Sequence, residues 1–309
     1  MPSIIYLQAA LQLAARVKLA YKIAAENLMK KGNNRIILAT DGDFNVGASS
    51  DSDMEKLIEK ERESGIFLSV LGYGMGNYKD SKMETLADKG NGNYAYIDNI
   101  TEARKTLISE FGGTLFTVAK DVKLQVEFNP AKVQAYRLLG YENRVLASED
   151  FNNDKKDAGD MGSGHNVTAF YEIIPVGAKD DLSGSVDPLK YQKTDVIKTA
   201  APTNGELLTI KFRYKEPTSN QSKLSRAIVK DTPAGFDKTS SDFRFAAAVA
   251  ETGMVLRDSH FKQGSNFAQA ISIAKAARGE DAEGYRAEFI RLVESARLLA
   301  KTAMVKEEE

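Results

Sequence analysis

Arg35-Ile36-Ile37-Leu38-Ala39-Thr40-Asp41-Gly42-Asp43-Phe44-Asn45 is the stretch whose reading decides the fold. Its apolar residues read as a buried strand, and Thr-Asp-Gly stops that strand abruptly. The spacing predicts a strand over 35–40 with the Asp41 carboxylate at its carboxyl end. In open α/β sheets this is the edge where ligands and ions bind.

Working outward, the flanking segments read as crossover units. Leu19, Ile23 and Leu28 lie at helical spacing before Lys30-Lys31-Gly32, which predicts an amphipathic helix over 19–29 with its stop. Ser52 and Asp53 can cap a helix running to about Ser64, and Gly65 ends it. Ile66–Leu71 reads as a second buried strand, followed by Gly72-Tyr73-Gly74-Met75-Gly76. A helix over 81–88, a strand over 93–97 and a helix from 98–101 to about Thr114 complete the series. Helix and strand alternating through short connections imply a parallel sheet, one half of a doubly wound domain.

The pattern changes after Ala119. Val122, Leu124, Val126 and Phe128 alternate with polar residues, as do Val167, Ala169, Tyr171 and Ile173, and Leu208, Ile210, Phe212 and Tyr214. Period-two alternation with one wet face predicts antiparallel strands, hence a β-sandwich-like module. From Ser241 three segments (243–256, 266–277 and 282–304) carry apolar stripes of helical period. The expected organisation is residues 1–118, 119–232 and 233–309.

Composition narrows the function. The chain has 309 residues, 42% of them apolar and 28% charged, as a globular protein has. Forty-two basic residues against 43 acidic ones argue against nucleic-acid binding, which needs a basic face. Absence of cysteine excludes disulfides, thiolate metal sites and cysteine nucleophiles. His165 and His260 are the only histidines, too few for a polyhistidine zinc site. No apolar stretch has the length of a membrane span. Met1–Val17 lacks the basic start and unbroken apolar centre of a secretion signal, so no targeting segment is expected within the chain.

Several motifs have a sharp and a plain reading. Gly72–Asn77 lacks the spacing and the Lys-Ser/Thr of a phosphate loop and reads as a strand-end turn. Ser163 and His165 lack an acidic partner and read as a flexible lead-in to a strand at Asn166. Glu149-Asp150-Phe151-Asn152-Asn153-Asp154 could bind Ca²⁺ but misses the EF-hand pattern, so a solvated loop is expected. Asp43 reads as a solvated turn residue, and His260 as a surface residue between helices.

Residues 18–118 resemble the second half of a von Willebrand factor type A (VWA) domain, a Rossmann-like fold. The remainder is similar to the C-terminal region of bacterial proteins of the YfbK-like family, through Tyr171–Pro175, Gly205–Lys215, Asp242–Ala250 and Gly284–Val293. The resemblance implies a protein-binding module of the bacterial cell envelope rather than an enzyme. It also implies a metal-ion-dependent adhesion site in which Asp41 joins an Asp-x-Ser-x-Ser motif and a loop threonine around Mg²⁺ or another divalent cation. Only Asp41 carries over, because the first 39 residues hold no aspartate, no threonine and the single Ser3. The expectation is therefore a partial domain lacking its first strands. With one choice of permitted codons, back-translating Gln8–Val17 and shifting the frame gives Gly-Gly-Ser-Thr-Ala-Gly-Gly-Lys-Gly, which resembles the family's glycine-rich threonine loop, so a frameshifted or misassigned start is the expectation. The alternatives are a structural envelope scaffold with a degenerate metal site and, third, a hydrolase.

Overall fold

The computed structural model describes residues 13–29, 32–41, 51–74, 79–110, 112–113, 117–141, 145–156, 158–178, 205–217, 219 and 221–307. Contacts divide the chain into two units. The first comprises Met1–Leu124, Glu149–Asn166 and Phe212–Ser225; the second comprises Gln125–Ser148, Val167–Lys211 and Arg226–Glu309.

The first unit opens with helix α1 (Leu13–Glu26), strand β1 (Asn34–Thr40), helix α2 (Asp51–Glu63), strand β2 (Ile66–Tyr73), helix α3 (Asp80–Lys89) and strand β3 (Tyr94–Ile97). The three strands form a parallel sheet in the order β1-β2-β3. Parallel strands need crossovers, and α2 and α3 supply them. Central β2 is the apolar run of the sequence, with Ile66, Leu68 and Val70 at 0% exposure. They pack with Val17, Tyr21, Met54, Ile58, Met83, Leu86 and Ala87, contributed by all three helices. Each of the Val, Leu, Ile and Met side chains among them contributes about 1.5–3 kcal/mol on burial. Close packing at the entry to β3 demands glycine: a Cβ on Gly92 would stand 1.8 Å from the Leu68 carbonyl oxygen.

The sequence reading of this half is borne out in type and order, with shifted ends. Helix α1 starts well before Leu19 and stops before Met29. After β3, Asn99 caps a short helix α4 (Ile100–Arg104), which widens into a π-type turn at Lys105–Ser109 instead of running on as one α-helix.

Strand β4 (Thr117–Phe128) starts the antiparallel part, with β5 (Val133–Leu139), β6 (Gly159–Gly162), β7 (Phe170–Pro175), β8 (Glu206–Lys215) and β9 (Ser222–Lys230). One sheet has the order β6-β4-β8-β9 and a second pairs β5 with β7. Strands β5, β6 and β9 were not foreseen. Val167 and Ala169 precede β7 rather than belong to it.

The second unit holds helices α5 (Ser241–Leu256), α6 (Phe267–Ala276) and α7 (Tyr285–Glu307), close to the predicted stripes. Ser240 and Asn266 cap α5 and α6 through their side-chain oxygens. Ala248, Ala274 and Ile290 form the core of this bundle, with Phe245 edge-on to Phe289. Arg137 and Glu172, directly opposite on β5 and β7, form an ion pair at 2.5 Å, and the Arg137 guanidinium lies 4.2 Å from the Phe261 ring. Among the described residues no helix is long and apolar enough to cross a membrane.

Candidate functional site

The parallel register places Thr40 beside Gly72 and Gly72 beside Tyr96, so the three carboxyl ends lie level. Asp41 is the residue immediately after β1, and its side chain is exposed. Gly74, after β2, has φ +91°, and a Cβ there would lie 3.7 Å from the Asp41 Cβ. The strand end thus turns away beside Asp41 at the one residue type that accepts this conformation freely. Tyr96 Oη donates to the Gly74 carbonyl at 2.5 Å, pinning the turn. Asn99 Oδ1 accepts the amides of Thr101 (2.7 Å) and Glu102 (2.9 Å) at the end of β3.

This is the edge where the sequence reading put Asp41. Among the described residues, however, no group of three His, Cys, Asp or Glu is placed to hold a metal ion. One exposed carboxylate is a poor Mg²⁺ site, since the ion retains most of its waters. The described residues alone therefore do not fit a divalent cation. Asp43 and the residues around Met75 and Asn77 lie outside the described residues.

The other singled-out motifs fall as turns. The His165 amide donates to Gly162 O at 3.1 Å, and Gly164 takes φ +78°, forming a tight reversal after β6. His260 is exposed in a single turn of 3-10 helix.

A second polar site was not legible in the sequence. Period-two reading of β4 put Val122 and Leu124 inside and the charged residues outside. In the structure Asp121 and Lys123 are buried, and Leu124 is 54% exposed. The reversal follows from a bulge. Asp121 takes φ +52°, the β4–β6 register slips between Ala119 and Val122, and the Asp121 amide donates to Asp160 Oδ1 at 3.1 Å.

The Lys123 ammonium, whose side chain is 0% exposed, donates to the carbonyls of Asn153 (2.8 Å) and Lys156 (2.7 Å). It also stands 3.2 Å from Asp121 Oδ1, which accepts no well-directed hydrogen bond. Lys215 approaches Asp121 Oδ2 at 2.9 Å and donates to the Asp154 carbonyl at 2.8 Å. The Asp154 carboxylate accepts from Ser222 and from Arg213 Nη2 (2.9 Å), and these hydrogen bonds hold its pKa below the usual carboxylate range. The Asp/Asn-rich run, expected to be a solvated loop, is therefore anchored: it forms a 3-10 turn at Ser148–Asn152 with Phe151 buried, then turns its carbonyls toward ammonium groups.

A third buried charge lies in the helical bundle. Glu251 on α5 is 7% exposed, and burial pushes its pKa up. It accepts hydrogen bonds from the Asn266 amide and Ser265 at the start of α6, while Oε1 has no donor.

Known proteins place the chain. A family model described as "Uncharacterized protein YfbK, C-terminal" matches residues 113–299, more than half of the chain. The chain is 46% identical over 282 residues to the Uncharacterized protein YfbK of Escherichia coli (strain K12), covering 91% of this chain and 48% of that protein. It thus spans about half the length of that curated relative. A solved structure, a von Willebrand factor type A protein from Catenulispora acidiphila, aligns over 89% of this chain and 62% of its own, at 13% identity and a TM-score of 0.39.

Proposed function

The chain belongs to the YfbK C-terminal family, and on that premise we propose that it is a protein-binding module rather than an enzyme. The carboxyl edge of β1, β2 and β3 is the recognition face. One observation carries this reading: the exposed Asp41 is level with the Gly74 turn at the open edge of a parallel sheet, where such sheets take ligands. Residues 18–118 are read as the second half of a VWA domain, followed by a β-sandwich-like module. The absence of cysteine and the sparse histidine support a non-enzymatic role. By family resemblance the compartment is the bacterial cell envelope.

The finer form of the proposal makes recognition metal-dependent. Asp41 then contributes one oxygen to a site for Mg²⁺ or another divalent cation, completed by ligands outside the described residues. The test is partner capture by a longer YfbK-type protein, with and without EDTA, beside its Asp41→Ala variant. Loss in both cases is expected; capture that survives EDTA sinks the metal-dependent form. The scaffold reading is favoured by a specific observation: among the described residues, no group of three potential metal ligands forms at this edge. It predicts that Mn²⁺ produces no bound signal in electron paramagnetic resonance with either form of this chain.

A further inference from the structure

We propose that the Glu149–Lys156 loop is a cation-binding loop whose cation is built into the chain. The ammonium of Lys123 fills the site permanently, and removing it creates a site for a free monovalent cation of ammonium size.

Three features carry this. First, the carbonyls of Asn153, Asp154 and Lys156 are all directed at ammonium groups, those of Asn153 and Lys156 at Lys123 and that of Asp154 at Lys215. Loops do not spontaneously align carbonyl dipoles, because these repel one another unless a positive charge lies between them. Second, among the described residues the polar partners of the Lys123 ammonium are all oxygens: two carbonyls at 2.8 and 2.7 Å and Asp121 Oδ1 at 3.2 Å. Lysine is almost never fully buried unless paired, and here the pairing set is the ligand set of a cation site. Third, Asp121 Oδ1 has no well-directed donor although it is buried. Its interaction with the ammonium is one of charge rather than hydrogen-bond direction, as with a metal ion.

The ligand set also selects the ion. Carbonyl oxygens replace the hydration shell of weakly hydrated monovalent cations. Ca²⁺ needs six to eight oxygens, usually with several carboxylates, and Mg²⁺ a rigid octahedron. Two neutral carbonyls and one carboxylate already shared with Lys215 suit NH₄⁺, then K⁺. The Asp/Asn-rich run is thus a cation loop in geometry, though it lacks the EF-hand pattern.

The experiment compares the full chain with Lys123→Ala in thermal unfolding, in ammonium chloride and in choline chloride at equal ionic strength. Lys123→Ala is expected to melt roughly 10 °C lower in choline chloride and to recover most of that loss in ammonium chloride. Wild type should melt alike in the two salts. Identical melting of the variant in both salts overturns the proposal. So does a Lys123→Met variant, of similar volume but no charge, that melts with wild type. Should Lys123→Ala fail to fold, nitrogen-15 lysine spectra of the wild type decide. One ammonium signal protected from solvent exchange and lost in Asp121→Asn supports the built-in cation, and its absence overturns it.

Discussion

Two oxygen-rich places in the first unit handle positive charge in opposite ways. At the carboxyl edge of the parallel sheet, Asp41 stands exposed beside Gly74. Under the bulge of β4, Asp121 is buried between Lys123 and Lys215, and the loop carbonyls close around the same ammonium groups. One carboxylate faces solvent; the other has its counter-charges on its own strands. The difference follows from solvation. An exposed carboxylate loses little by waiting in water, whereas a buried one costs several kcal/mol unless its counter-charge is permanently present. The buried site fixes the path of a long loop, and the exposed one is where we propose recognition.

The comparison breaks most sharply at Asp121. Asp121→Ala leaves the buried Lys123 and the half-buried Lys215 ammonium groups without a carboxylate, and stability should fall by about 3–5 kcal/mol. Urea unfolding measures this directly. A loss below about 1 kcal/mol would mean that the network is solvated like a surface ion pair, and the contrast with Asp41 would vanish.

Glu251 sharpens the contrast, because it is a buried carboxylate held by a helix start rather than by a cation. Burial raises its folded pKa above the unfolded value. The folded state therefore keeps this proton to higher pH than the unfolded state does. The resulting stability is fully present below the unfolded pKa and is lost as pH rises through the folded one. Glu251→Gln keeps a carbonyl acceptor for the Asn266 amide and removes the charge. The variant should gain up to about 1 kcal/mol near neutrality and show no advantage in acid, as melting across the pH range would record. An equal effect at every pH would show that charge is not what Glu251 contributes.

These two networks also mark where sequence reading stops. The parallel half was legible because Ile66–Leu71 is uniformly apolar and glycines punctuate its ends, so local pattern and burial agree. The Asp41 edge was legible because a strand stop fixes where its last carboxylate lies. Lys123 was not, because alternation places every charged residue on the wet face. Only the bulge at Asp121, stabilised by Asp160 from a distant segment, reverses the faces. Strand β9 was missed for another reason: from Lys223 to Lys230 its residues are exposed on both faces, so no burial pattern is imprinted on its sequence. Glu251 lies in an apolar helical stripe, and its partners Ser265 and Asn266 belong to the next helix.

Asp154 gives a smaller effect of the opposite pH sign to Glu251. Hydrogen bonds from Ser222 and Arg213 depress its folded pKa. Its contribution is thus present above the unfolded pKa and is lost as pH falls through the folded one. The side chain is 40% exposed, so solvent screening keeps the loss in Asp154→Asn below about 1 kcal/mol. Hydrogen exchange should then show the Asn153–Lys156 amides opening faster in the variant at neutral pH, and in wild type on acidification. Unchanged exchange in both would mean that Lys123 and Lys215 hold the loop unaided.

The smallest effect on stability belongs to the residue expected to matter most for recognition. Asp41 is exposed and lies at a strand end, outside the apolar core of α1–α3 and β2. Asp41→Ala should therefore leave the unfolding free energy within about 0.5 kcal/mol of wild type. Removing the carboxylate still deletes the charge that directly follows β1 at its carboxyl end. A metal or a partner that uses this edge must then lose affinity although the fold does not change. A Mn²⁺ titration on both proteins, beside their urea curves, separates the two quantities. Unchanged stability with lost Mn²⁺ binding assigns Asp41 to recognition. A large stability loss would show that the open edge is structural after all, like the closed site under β4.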